Sequence, residues 1–247
     1  MRVTARTRSG TVGVRVEVPA GECRLRDLLP ALGTIDDALV ADARRTTEVQ
    51  GRQVTCRAGC GACCRQLVGV MPCEASYLMG LLESLPAVRR RAVRSRFADA
   101  ARAFTEAGLG DEVAQAASLA GASLRGLAAR YFRLGIPCPF LEDESCSIYP
   151  HRPLVCREYV VTSPAEECRT LGHIERVPVP GRLSSRIGGD PGGNSAWVPL
   201  VLAPEWVAGH PEAGELDDRC TGPELLAGVL GAPGLDEAPV GTFPTAR

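Results

Sequence analysis

Residues 3–18 alternate between apolar and polar positions around a Ser9-Gly10 turn signal, which predicts a β-hairpin. Centring the turn there pairs Val3 with Val16, Ala5 with Val14 and Thr7 with Val12, all on one face. The period then lengthens. Thr34 reads as the cap of a helix reaching about Gln50, with Ile35, Leu39, Ala43 and Thr46 or Thr47 on one stripe. The run from Cys60 to Val70 is compatible with a further helix start, and Pro72 suits the first turn of a helix that ends near Pro86. From Pro86 to Ala107 the inward positions are Val93, Phe97, Ala100, Ala101 and Phe104. Asp111 is placed to cap a helix to Leu134, whose apolar stripe is Val113, Ala116, Ala120, Leu124, Leu127 and Tyr131, and Gly135 stops it. Pro137, Pro139, Pro150 and Pro153 then break any period and predict loop. Beyond residue 170 the pattern weakens to short helices at 197–208 and 222–230, with a glycine-rich loop at 188–193 and a disordered end.

Composition narrows the chemistry. With 28 basic and 29 acidic residues the net charge is −1, so there is no global attraction to nucleic acid or an anionic membrane. No apolar run approaches the roughly 18 residues of a membrane span. Every basic residue is Arg, which excludes a Schiff-base lysine, a lysine general base and a P-loop lysine. The cluster Arg89, Arg90, Arg91, Arg94 and Arg96 reads as a solvated helix face balanced by acidic residues elsewhere, rather than as a nucleic-acid patch. The N-terminal residues lack the apolar stretch of a secretory signal, and the cysteine count of 11 is odd. Both favour a reducing, cytoplasmic setting, in which dense cysteines act as metal ligands or catalysts rather than disulfides.

Nine of the eleven cysteines fall within 56–73 and 138–168. The first stretch contains Cys56, Cys60, Cys63 and Cys64, separated by small residues (Gly59, Gly61, Ala62) whose amides can approach a thiolate closely. The second adds Cys138, Cys146 and Cys156, with Cys168 as a candidate eighth ligand. Thiolates held this close repel one another, and a cation removes that conflict by deprotonating its ligands and adding binding energy to the fold. Arg57, Arg65, Arg152 and Arg157 flank the cysteines and read as outer partners that offset negative charge. Cys63 and Cys64 diverge as neighbours, so one is structural or the pair serves two metals or a cluster. Cys23 and Cys220 read as isolated thiols. The expected fold is mainly α with a small β-hairpin and an irregular cysteine-rich metal-binding centre packed on helices. Its expected divisions are a hairpin at 1–19, a single domain at 20–230 with its motif core at 54–170, and a tail at 231–247.

The series Cys56…Cys60-Gly-Ala-Cys63-Cys64, then Cys138-Pro-Phe-Leu…Cys146-Ser-Ile-Tyr…Arg152-Pro…Cys156-Arg157, resembles the bacterial cysteine-cluster family named CxxCxxCC, the zinc- or iron-chelating YkgJ-type family. The resemblance covers about residues 54–160 and implies a metal or iron–sulfur site. It departs from the family at the first gap, which has three residues here instead of two, and Cys168 lies outside the named motif. A flagellin lysine methylase carries a related cysteine motif, so the resemblance admits a role in protein modification as well as a redox one.

All-thiolate donors suit zinc or an iron–sulfur cluster rather than magnesium or calcium. Seven or eight cysteines with a vicinal pair exceed what one zinc requires, which favours an iron–sulfur cluster, of the 4Fe–4S type; two zinc ions also satisfy the arithmetic. The spacing Cys56-x3-Cys60-x2-Cys63 matches a radical-SAM signature, but the expected aromatic before the third cysteine is Ala62 and repeated βα units are absent. No dinucleotide fingerprint or nucleophile elbow is present. Glu142, Asp143 and Glu144 read as a solvated turn, and no catalytic residue is identified; a cysteine nucleophile with His151 as base would compete with ligation. The alternative is a zinc-stapled interaction module without catalysis.

Overall fold

The computed structural model describes residues 1–7, 9–110, 113, 122–187, 197–211 and 220–231. β1 (Arg2–Thr7) and β2 (Gly10–Arg15) form the expected hairpin in a different register: Val3 faces Val14, Ala5 faces Val12, and the ladder closes at Thr7 and Gly10. The turn therefore sits one residue earlier, and each pairing slips by two. A two-residue slip leaves every side chain on its original face, so the alternation alone does not distinguish the registers. Gly10, at φ 136°, begins β2 in a conformation open to glycine. Ser9 Oγ donates to Asp42 Oδ2 at 2.5 Å and fastens the hairpin to the helix that follows it.

α1 spans Leu29–Val49 and begins before Thr34. A 3-10 turn at Leu25–Leu28 leads into it, Pro30 occupies its first turn, and Leu29 and Leu32 are already buried. Thr34 is interior, its hydroxyl donating to the Pro30 carbonyl at 2.9 Å instead of capping. α2 (Pro72–Ser84) and α3 (Ala87–Glu106) follow the sequence pattern, and the five inward positions of α3 are all buried. α4 (Ala122–Arg133) buries Leu127 and Tyr131, and Gly135 at φ 64° ends the segment. Asp111, Ala116, Ala120, the loop at 188–193 and the tail at 232–247 lie outside the described residues.

Residues 60–68 run as turns, without the helix start their composition allows. The proline-broken stretch contains a miniature hairpin, β4 (Leu141–Glu142) with β5 (Ser145–Cys146), and the short helices α5 (Leu154–Glu158) and α6 (Ala165–Thr170). Beyond it, Val198–Pro199 pairs antiparallel with β3 (Gly69–Val70), α7 covers Ala203–Gly209 and α8 covers Gly222–Gly231. Among the described residues the molecule is thus mainly helical, with only small antiparallel strand pairs.

Four apolar clusters organise the packing. One joins the hairpin, α1 and α8 through Val3, Leu32, Leu39 and Leu226. A second seats α2 and α3 on Phe140 and Ile148, where Phe97 meets Phe140 edge-on at 5.3 Å between centroids. A third lies under α4. The fourth is small, built from Ala62, Val161 and Cys168 with Cys56, Cys60 and Tyr159 against them. No helix among the described residues is long and apolar enough to cross a membrane.

Candidate metal centre

The two cysteine stretches meet through their backbones. The Cys138 amide donates to the Cys64 carbonyl at 2.7 Å, across 74 residues of chain, and Cys64 N–H in turn closes a turn on Gly61 O at 2.9 Å. Gly61 makes the approach possible: a Cβ there would stand 2.5 Å from the Glu144 carbonyl and 2.7 Å from Leu141 Cδ1. The turn between β4 and β5 carries Asp143 and Glu144 at φ 49° and 56°, a left-handed pair suited to a two-residue hairpin loop. Arg65 forks onto the Glu144 carboxylate at 2.5 and 3.0 Å, clasping the same two segments at their solvent edge.

At the other end Cys56 is held by the segment that follows α5. The Val161 amide points at Cys56 Sγ (3.3 Å), Sγ lies 3.9 Å from the Tyr159 carbonyl, and Thr55 donates to the Ser163 carbonyl at 2.6 Å. Gln66 reaches the Tyr159 hydroxyl at 3.2 Å, and Arg176 lies 4.5 Å over the Tyr159 ring. Arg44 of α1 donates to the Cys56 carbonyl at 2.8 Å. None of these supporting residues carries a local signal, since each meets its partner only across a long stretch of chain or through a generic backbone group.

Electrostatics shows which thiols share an environment. Burial pushes Cys138 and Cys168 up to about 12 and Cys156 well above the usual thiol range, and each is raised further by the charge of Cys63. Burial also raises Cys56 and Cys146, again with Cys63 contributing. Cys64 is raised first by its hydrogen bond with Cys63, and that same bond holds Cys63 down at about 7. Cys63, the thiol with the lowest pKa and so the first to carry charge, acts on two groups. One lobe is Cys56, Cys60 and Cys168, whose charges act on one another; the other is Cys64, Cys138, Cys146 and Cys156. Arg152 and Arg157 lower Cys146, and Arg96 lowers Cys138. Among the described residues no three His, Cys, Asp or Glu side chains close around a point as a formed ion site. The donors are assembled in one region without converging on a centre.

The remaining candidates separate from this group. Cys73 is buried in α2 within the α1 cluster, pushed up to about 12 by burial and then by Glu74. His151 Nδ1 is paired with the Tyr77 hydroxyl at 2.7 Å, and His210 stacks on Trp206. Arg57 is exposed, whereas Arg157 is buried and donates to Asp37 Oδ2 of α1 at 2.6 Å. Cys23 and Cys220, isolated in sequence, are adjacent in space: the Cys23 amide donates to the Cys220 carbonyl at 3.1 Å.

The donor chemistry fits a metal. Eight soft sulfurs, partly or fully buried, six of them with pKa values raised, form a group that a cation would stabilise by taking up the charge their neighbours now oppose. Comparison with known families agrees at the level of the domain: residues 55–174 match the family model CxxCxxCC, described as "Putative zinc- or iron-chelating domain". The match encloses all eight cysteines, Cys168 included. No curated protein and no solved structure matches the chain.

Proposed function

Taking residues 55–174 as a metal-chelating domain of that family, we propose that Cys56, Cys60, Cys63, Cys64, Cys138, Cys146, Cys156 and Cys168 hold an iron–sulfur centre or zinc. The observation that carries this is the joining of the cysteine stretches by Cys138 N–H to Cys64 O at 2.7 Å and by Val161 N–H to Cys56 Sγ at 3.3 Å, which leaves the thiols close enough to act on one another's charge. An iron–sulfur centre would supply one-electron redox capacity, whereas zinc would supply structural closure. The chain's own contributions are positional. Gly61 lets the two segments touch, the Val161 amide points a donor at Cys56 Sγ, and Arg152 and Arg157 place positive charge beside Cys146. These devices would lower the cost of gathering several thiolates in a partly buried region.

The division into two lobes favours a second reading, two zinc ions each held by four thiolates with Cys63 completing the Cys56 lobe. Anaerobic purification followed by elemental analysis and absorption spectroscopy separates the two. An iron–sulfur protein is brown, absorbs broadly near ~400 nm and bleaches on reduction. Colourless protein with two zinc ions per chain supports the second reading, and protein that takes up neither metal overturns both. An iron–sulfur centre would support the redox role and zinc the stapled interaction module, while a protein-modifying activity is compatible with either metal.

A further inference from the structure

The segment before α1 and the segment before α8 lie side by side as a short antiparallel pair. Glu22 and Thr221 form a β-bridge, so Cys23 and Cys220, one step along each strand, stand directly opposite. The bond from Cys23 N–H to Cys220 O at 3.1 Å is one of the two that such a pair exchanges. Opposed residues on an antiparallel ladder project to the same face, and a hydrogen-bonded pair has its Cα atoms about 5.5 Å apart. That separation lies inside the roughly 4.4–6.8 Å a disulfide spans. The approach is fixed from both sides. Gly222 N–H donates to the Pro19 carbonyl at 3.2 Å, and a Cβ on Gly222 would collide with that oxygen. Thr221 is clamped by Glu224 through its amide at 2.8 Å and its hydroxyl at 2.7 Å. Both thiols are partly exposed, and neither belongs to the matched segment 55–174.

We infer that Cys23 and Cys220 form a reversible dithiol–disulfide couple that latches helix α8 to the segment leading into α1. The reaction is thiol–disulfide exchange with a low-molecular-weight disulfide such as oxidised glutathione. One cysteine thiolate attacks the glutathione disulfide, giving a mixed disulfide and one reduced glutathione. The second cysteine then displaces the other glutathione and forms the Cys23–Cys220 bond. Two electrons pass from the cysteine sulfurs to the glutathione sulfurs, and the two thiol protons leave with the two reduced glutathiones. The proximity of Cys220 already registers on Cys23, whose pKa is raised by burial, then by Asp27, then by Cys220.

The latch closes over packed surface. Leu226 of α8 is buried in the core with Leu28, Leu32 and Leu39, and Leu225, Val229 and Leu230 pack against it. Closing it joins two points near opposite ends of the chain, which restricts the unfolded ensemble strongly. The couple stands apart from the metal reading, because its sulfurs are not among the proposed ligands.

The test uses the full chain purified anaerobically with whatever metal it carries. The protein is equilibrated in oxidised and reduced glutathione, free thiols are alkylated, and the chain is digested with trypsin without reduction. Cleavage after Arg15, Arg24 and Arg219 releases residues 16–24 and 220–247, each with one cysteine. The expected result is a linked 16–24/220–247 species that accounts for most of both cysteines in oxidising buffer and disappears in reducing buffer. The melting temperature should rise by several degrees on oxidation, and Cys23→Ser should abolish both the linked species and the rise. Recovery of the two peptides separately, as alkylated thiols or as individual glutathione adducts, overturns the proposal. So does linkage of either peptide mainly to cysteines of 55–174.

Discussion

Replacing Cys63 with serine removes a thiol from the turn that joins the two cysteine stretches, so the whole group should fail together. Cys63→Ser, Cys60→Ser and Cys156→Ser are expected to lose most of the bound metal and to melt earlier, by elemental analysis and thermal denaturation. Cys73→Ser should keep its metal, since that thiol sits in the α1 cluster; equal metal loss there would show that the grouping around Cys63 does not define the ligands. Gly61→Ala is expected to destabilise by about 1–3 kcal/mol, because the added carbon meets the Glu144 backbone, which cannot swing aside like a flexible side chain. Asp36 offers a pH signature. It is fully buried with neither carboxylate oxygen hydrogen-bonded, and its pKa is raised to about 9, by burial first and then by Glu158, against the partial relief of Arg157. The folded state therefore keeps the proton while the unfolded chain releases it above pH ~4, so this residue's contribution falls as pH rises from about 4 towards 9. Asp36→Asn should gain stability relative to the parent at pH 8 compared with pH 5; an unchanged difference across that range would contradict the assignment. At this scale the cysteine chemistry was legible, because residue type and spacing carry it. The burial of Asp36 was not, since one polar residue on an apolar stripe gives no sign of what packs over it.

α3 shows how an element can be placed correctly while its partner stays hidden. Its inward face follows from the period, and all five expected residues are buried. Its arginines are not simply solvated. Arg96 donates to the Pro139 carbonyl at 2.7 Å and to Glu142 at 2.6 Å, and Arg89 reaches the Ser147 carbonyl at 3.0 Å, so α3 grips the loop bearing Cys138 and Cys146. Balance by acidic residues was the expectation, and the acids are Glu142 on that loop, which faces Arg89 and Arg96, and Glu83 of α2, which pairs with Arg94. Arg96→Ala should lower stability by roughly 1–2 kcal/mol in denaturant unfolding, a modest figure because the pair is a third exposed. It should also raise hydrogen exchange across 138–147; protection unchanged there would mean that α3 does not restrain the loop. Helix ends and strand register were less legible than helix interiors. α1 starts at Leu29 because Pro30 and a preceding 3-10 turn supply an entry that Thr34 does not, and the hairpin slips by two because an even shift conserves its faces.

For the molecule as a whole, metal removal should act unevenly. Chelation under reducing conditions is expected to speed hydrogen exchange in 55–68 and 138–170, which the cysteine group joins, while α1 and the β1–β2 hairpin stay protected by their own apolar cluster. Uniform loss of protection would show that the metal supports the entire fold. The chain alone determined its helical class, the interiors of its helices, its lack of a long apolar span and the sulfur-rich chemistry of 55–174, because periodicity, charge and ligand type are properties of neighbours along the backbone. Folding alone decided that Cys64 meets Cys138, that Val161 points at Cys56, that Asp37 pairs with Arg157 and that Cys23 faces Cys220. Each of those meetings closes a loop of 74 to 197 residues, and such closures are fixed by how all the apolar faces pack at once, a sum over the molecule that no local stretch contains.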